Sequence, residues 1–409
     1  MTIRRAIVAL AGTAGMLLGA STASAQTTTV ACSDTSVLPN PVFMGGSSAF
    51  EPILGLLAVQ IKSKQGVSIV YAPIASCNGV SAISPPADNP VAQPLTGTAH
   101  YYTVDPTDST KVVNNSCNLS GNTMASVGVS DAAFDSCQGV AKPAGIGEWT
   151  GPVQSMLIIV PEANVTTTAI SAEQAAAIWG CGAKSGVGNF TNESAIQQRS
   201  ATSGTQILVA RNIGVPETAF KGVSNSSGGN LVTSLLAVAD PQIAIGFLAN
   251  DAYATRRSVI NSVAFRGIGQ KKAYYADTDA TADDLRNVRD GHYMIQGPLH
   301  FFSKLDSTNQ PAASAKLVLD WLTGAAPIDT ADPYSYVRIV STNGDVPQCA
   351  MKVKLDKDGG KFSPFTPPVS CGCAFDKAKN VKFAAGTCAT CTSDATCAGG
   401  THCQFGYCE

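Results

Sequence analysis

Short apolar runs alternate with helically spaced apolar positions along most of the chain. Residues 41–44 form an apolar run that stops at Gly45-Gly46. Beyond it Ile53, Leu54, Leu57, Ala58 and Ile61 recur at the three-and-four spacing of one helix face. Residues 67–72, 125–129 and 155–160 read as further strands, the last stopped by Pro161. Ser171 and Gln174 have capping-box spacing ahead of a helix over 172–179. A helix is predicted over 231–238 and a strand over 243–248. Leu317, Val318, Trp321 and Leu322 mark an amphipathic helix that ends at Gly324. Strands alternating with helices predict an α/β fold.

The pattern changes after residue 345. Residues 352–355 alternate like one strand of a hairpin. Asp356-Lys357-Asp358-Gly359 shares the opening of a calcium loop but lacks its later ligands and closing Glu, so a β-turn is expected. Ser363-Pro364-Phe365-Thr366-Pro367-Pro368 reads as a stiff linker, giving a linker over 346–370. The tail, 371–409, has too few large apolar side chains for a core of its own, so disulfides must hold it as a module apart from the body.

Composition adds the compartment. Residues 1–25 have the form of a secretory signal, with Arg4 and Arg5 ahead of an apolar stretch over 6–20 and small residues at Ala23-Ser24-Ala25. Cleavage is expected after Ala25, leaving a periplasmic or secreted chain. The apolar stretch is short for a membrane anchor, which needs about 20 residues. A net charge of −2 leaves no basic footprint for nucleic acid. Thirteen cysteines in an oxidising space read as disulfides. Six lie in the body (Cys32, Cys77, Cys117, Cys137, Cys181 and Cys349) and seven in the tail. Either the body pairs internally and one tail cysteine is left over, or one bridge crosses between them. Zinc at Cys388-x-x-Cys391 is the lesser reading for exported thiols, and no metal or other cofactor is expected.

Four loops at strand-to-helix junctions carry the candidate chemistry. In open α/β sheets ligands bind beyond the carboxyl ends of the strands, where helix N-termini offer free N–H groups to an anion. The loops are Gly45-Gly46-Ser47-Ser48-Ala49-Phe50, Ala75-Ser76-Cys77-Asn78-Gly79, Ser130-Asp131, and Arg199 followed by Ser203-Gly204-Thr205. Arginine can meet a tetrahedral oxyanion with two parallel N–H bonds. Singly, each loop also reads as an ordinary helix cap or a solvated turn.

Taken in order, the four loops resemble those of the phosphate-binding component of the high-affinity phosphate ABC transporter, a type II periplasmic binding protein. Ile243-Ala244-Ile245-Gly246-Phe247 and the stretch from Asp290-Gly291-His292-Tyr293 to Pro298-Leu299 are similar to further landmarks of that family. The resemblance spans about residues 40–340. It implies a two-lobed α/β fold with the disulfide-rich tail appended. Lobe 1 would comprise 26–150 and 296–345, and lobe 2 would comprise 151–295. It implies phosphate or a similar oxyanion as ligand, held by Ser48, the Ala49 N–H, Ser76, Asp131, Arg199, Ser203, the Gly204 N–H and Thr205. Asp131 would accept a hydrogen bond from a protonated ligand oxygen, which disfavours fully ionised sulfate. A membrane permease is the implied partner, and the protein itself would be a monomer that spans no membrane.

The chain departs from that pattern at Ala201, where the family often carries an acid, and at Thr202, where it carries glycine. Two other functions stay open on the sequence. One is a phosphatase-like enzyme on the same fold, although His100, His292, His300 and His402 are scattered singly and no nucleophile elbow is present. The other is an extracellular scavenging or surface protein that uses the tail and binds another small ligand.

Overall fold

The computed structural model describes residues 30–86, 91, 93–382 and 387–409. The expected signal segment, 1–25, lies outside them. No described helix is long and apolar enough to cross a membrane.

The chain folds as a mixed α/β protein around one eleven-stranded sheet. Pro41–Gly46 lies near its centre, parallel to Ser68–Ala72 on one side and to Val127–Ser130 on the other. Every residue of Ser68–Ala72 is buried, as expected of a strand covered on both faces. The helix Glu51–Gln65 lays Ile53, Leu54, Leu57, Ala58 and Ile61 on the sheet, matching the predicted face, and ends at the left-handed Gly66.

One long strand, Ile146–Pro161, organises the rest. Its first residues pair with Gln296–Lys304, and its last pair with Gly246–Ala249 and Ile260–Arg266. Gln296–Lys304 also pairs with Val127–Ser130. These two antiparallel strands therefore carry the chain between two lobes of a continuous sheet. Eleven successive residues of the long strand, 151–161, are buried, because helices cover it from both sides.

Local chemistry explains where the elements differ from the sequence expectation. The helix expected over 231–238 is Gly228–Leu236, starting early because the Ser227 side chain accepts from the Asn230 N–H. The strand expected over 243–248 is Gly246–Ala249, preceded by a single turn at Pro241–Ile243. In the helix Ala313–Thr323 the buried face is Ala315, Val318, Leu319, Trp321 and Leu322, whereas Leu317 is 49% exposed. A long hairpin, Thr98–Asp105 with Asp108–Asn118, joins the sheet where the apolar pattern marks no strand, and the short strand Val30–Ala31 flanks it.

The C-terminal region is built into the body. Val353–Leu355 and Phe362–Pro364 form a hairpin whose turn holds Asp356-Lys357-Asp358-Gly359. Asp358 is buried, and its carboxylate accepts from the Ala133 N–H at 2.8 Å. Cys349–Cys371 is the bridge that crosses from body to tail. The others are Cys32–Cys117, Cys77–Cys137, Cys373–Cys388, Cys391–Cys403 and Cys397–Cys408, leaving Cys181 free and exposed. Contrary to expectation, the tail does not stand apart. Phe375 is fully buried beneath the Arg289 guanidinium, which pairs with Asp376. Lys379 pairs with Asp283. The tail lacks a core of its own, so it covers its few apolar side chains with the body's surface.

Candidate functional site

Each expected site residue sits where a strand gives way to a helix. Gly46 ends its strand at φ +148°, where a Cβ would lie 1.8 Å from the Val129 carbonyl oxygen. Only glycine permits that approach, and it turns Ser47, Ser48 and Ala49 toward the helix Glu51–Gln65. The Tyr71 hydroxyl donates to the Ser47 carbonyl and holds the loop from beneath. Ser76 opens the helix Ser76–Ile83, with Ala75 before it at φ +78°. Asp131 follows the strand Val127–Ser130. Arg199 ends the strand Gln197–Arg199, and Ser203 is the N-cap of the helix Gly204–Ile213.

The fold brings these loops to one place. Ser76 Oγ donates to Asp131 Oδ2 at 3.3 Å and accepts from the Gly204 N–H at 3.0 Å. The Cys77 N–H donates to the Thr202 carbonyl at 3.1 Å, a second tie between these two loops. Arg199 Nη2 reaches Ser48 Oγ at 3.4 Å. Ser47, Ser76, Asp131, Arg199, Ser203 and Thr205 are all buried, whereas Ser48 is half-buried. Two expected donors are engaged within the protein: the Ala49 N–H donates to Ser47 Oγ at 3.1 Å, and the Gly204 N–H to Ser76. The Ser203 side chain makes no capping bond.

The electrostatics of the site centre on Arg199. Its side chain is 4% exposed, yet among the described residues no carboxylate lies within ion-pair distance. Neutral oxygens hold it instead: Nε donates to the Asn225 carbonyl at 3.2 Å and Nη2 to the Ser226 carbonyl at 3.1 Å. Burial lowers the guanidinium's proton affinity, and the field of Asp131 opposes that. Burial raises the Asp131 carboxyl above its ordinary value, although Ser47, Arg199 and Ser76 each favour the ionised form. Asp131 Oδ1 is buried with no hydrogen-bond partner. Burying a charge without an ion-paired partner is costly, and the field of Asp131 compensates Arg199 only in part, so the guanidinium is left able to receive an anion.

Sequence reasoning missed the residues that position this arginine. Gln206 Oε1 accepts from the Arg199 N–H at 2.9 Å, and Asn225 Nδ2 donates to Gln197 Oε1 at 3.1 Å, tying the two strands together. Asn225 and Ser226 act through backbone carbonyls, which leave no signature in side-chain types. The four histidines lie apart from the site's hydrogen bonds: His100 bonds to Glu51, His300 to Glu148 and His402 to Asp394, and His292 stacks on Tyr274. The tail's Cys391, Cys397 and Cys408 lie together, but all three are in disulfides.

No protein-family model matches the chain, and no curated protein matches it. Several solved structures do. A protein described as a phosphate ABC transporter substrate-binding protein, with bound phosphate, from Clostridium perfringens is similar at 15% identity and a TM-score of 0.48. The match covers 75% of this chain and 99% of that one. An ABC-type phosphate transport receptor from Vibrio cholerae is similar at 14% identity and a TM-score of 0.44, over 75% of this chain and 99% of that one. An ancestral soluble variant of the human phosphate binding protein is similar at 14% identity and a TM-score of 0.46, over 75% of this chain and 90% of that one.

Proposed function

We propose that this chain is an exported binding protein that captures inorganic phosphate, or a similar oxyanion, in the cleft between its lobes without transforming it. The observation that carries the reading is the buried Arg199 guanidinium with no ion-paired carboxylate, which reaches Ser48 Oγ and lies in the field of Asp131, whose partner Ser76 accepts from the N-terminus of Gly204–Ile213. Lobe 1 would comprise 26–150 and 296–345, and lobe 2 would comprise 151–295. An oxyanion enters by replacing the direct Gly204–Ser76 bond, and both groups then turn to its oxygens. Arg199 supplies the charge. Ser48, Ser76, Ser203, Thr205 and the N–H groups of Ala49 and Gly204 supply neutral donors. The Asp131 carboxylate accepts a hydrogen bond from the protonated oxygen of hydrogen phosphate.

Closure of the lobes over the anion is a hinge motion about the two crossover strands. A permease would then receive the ligand, or the protein would retain it outside the cell. Calorimetry on the full mature chain tests the reading. Phosphate should bind one to one, and Arg199→Ala should lose that binding. Failure of the parent protein to bind phosphate, sulfate or arsenate would sink it.

A further inference from the structure

A second polar cluster lies where the lobes join, and the anion site makes no use of it. Asp251 sits in the first turn of Asn250–Ala254, directly after the strand Gly246–Ala249. Asp345 lies between the helix Ser335–Thr342 and Val346, which bridges to Val153 on the long crossover strand. Val153 and Val346 exchange both backbone hydrogen bonds, at 2.7 and 3.0 Å. In that antiparallel register Gln154 stands opposite Asp345, with both side chains on one face. The two acidic segments also touch each other. Asn250 Nδ2 donates to the Gly344 carbonyl at 2.6 Å, and a Cβ on Gly344 would lie 2.9 Å from the Asp251 Cα.

The cluster is buried and unsatisfied. Asp345 and Asn250 are 0% exposed, and Asp251 and Gln154 are 1% exposed. Both carboxyl oxygens of Asp345, Oδ2 of Asp251, both amide atoms of Gln154 and Oδ1 of Asn250 make no hydrogen bond of good geometry, although the Gln154 amide lies near enough to Asp345 to favour its ionised form. The nearby cationic side chains are committed elsewhere. Lys379 pairs with Asp283, and Arg256 donates to the Ala252 carbonyl. Asp251 Oδ1 accepts from the Ala252 N–H at 2.7 Å, so one oxygen of that carboxyl is satisfied and the other is not. So many buried acceptors without a donor would be a penalty as packing alone.

We propose that Asp251 and Asp345, with the side-chain oxygens of Gln154 and Asn250, bind a hard divalent cation, calcium, at the junction of the lobes. The donor chemistry selects the class. Every unpartnered acceptor here is a carboxylate or amide oxygen, the ligand set of hard cations, with no thiol or imidazole for a soft one. The charge selects the valence, since two carboxylates are neutralised by one divalent ion. Calcium accepts an irregular shell of about 6–8 oxygens, whereas magnesium demands a near-ideal octahedron and keeps several waters. A buried, dry, mixed carboxylate–amide cluster suits the former. The ion would tie Asn250–Ala254, the crossover strand and the segment after Ser335–Thr342 to one centre.

The test uses the full mature protein, stripped with chelator and titrated calorimetrically with calcium chloride. One calcium per chain is expected in the parent. Asp251→Asn and Asp345→Asn should each bind at least tenfold more weakly. Asp356→Asn, in the exposed hairpin turn that shares the opening of a calcium loop, should bind as the parent does. Anomalous diffraction from parent crystals grown in calcium should show a peak between Asp251 and Asp345, a result that needs no variant to fold. Absence of calcium binding in the parent, unchanged binding in Asp345→Asn, or an anomalous peak elsewhere would overturn the proposal. Phosphate affinity enters none of these readouts, so this site and the anion site stand or fall separately.

Discussion

Gly204 donates its backbone N–H to Ser76 Oγ at 3.0 Å, and this bond joins the two lobes at the mouth of two helices. A Cβ at Gly204 would lie 2.5 Å from that same oxygen and 2.7 Å from the Asp131 Cβ. The lobes therefore meet through a residue with no side chain. Gly204→Ala should hold them apart. Overpacking of this kind costs about 1–3 kcal/mol. A lower thermal midpoint and a larger radius of gyration by small-angle scattering are expected, with weaker phosphate binding. A variant as compact and as tight-binding as the parent would show that the contact is dispensable.

Arg199→Ala should separate affinity from stability. Removing one partner of a buried charged contact costs about 2–5 kcal/mol of binding, or one to several decades in affinity. The ligand-free protein should lose much less, because the guanidinium is buried without a carboxylate and its removal relieves that strain on the fold. Titration calorimetry and thermal unfolding on the same sample decide this. Equal losses in both would make Arg199 a packing residue.

Asp131→Asn should alter discrimination more than affinity. The carboxylate accepts a hydrogen bond from the P–OH of hydrogen phosphate and repels an anion that has no proton to share. Asparagine keeps the shape, removes the negative charge and adds a donor, so sulfate should gain more than phosphate. The measurable outcome is a narrower ratio of the two affinities. An unchanged ratio would place the ligand's protonated oxygen elsewhere.

The acidic pair at the lobe junction should make stability fall as pH rises in chelator-treated protein. Burial pushes the Asp251 carboxyl up, to about 8, and raises Asp345 as well. The folded chain then holds protons that the unfolded chain has already released. Folding is most favoured below the ordinary carboxyl value near 4 and loses stability as pH climbs toward about 8. One such group contributes a slope of about 1.4 kcal/mol per pH unit inside that window. Thermal unfolding between about pH 5 and pH 8 should show this decline, and Asp251→Asn should flatten it. A parent protein whose stability rises across the window would contradict the assignment.

Cys181 should be the single alkylatable thiol in the unreduced protein. It is the one cysteine of the thirteen outside the six bridges, and it is exposed. Intact mass after treatment with a maleimide should rise by one adduct. Breaking Cys349–Cys371 with paired serines should in turn cost about 2–4 kcal/mol. It would also loosen the hairpin turn, where Asp358 accepts from the Ala133 N–H two residues from Asp131.

The alternation of strands and helices, and the junctions that carry Ser48, Ser76, Asp131 and Arg199, were legible along the chain. These follow from local rules. Apolar spacing marks which face is buried, and glycines such as Gly46 mark where backbones approach. The hairpin from Thr98 to Asn118 was not legible in the sequence, because its largely exposed, polar residues give no clean apolar alternation.

Tertiary structure alone decided which loops meet and what each charge faces. Asn225 and Ser226 hold Arg199 through carbonyls that every residue possesses, so no composition could reveal them. Asp251 and Asp345 are 94 residues apart, and each reads singly as an ordinary loop acid. Only the Val153–Val346 bridge brings Asp345 opposite Gln154, and only the Asn250–Gly344 bond brings Asp251 beside it. The tail's lack of a core of its own is a local property. Its burial of Phe375 under Arg289 depends on a surface supplied by residues far upstream, and that contact made it part of the body.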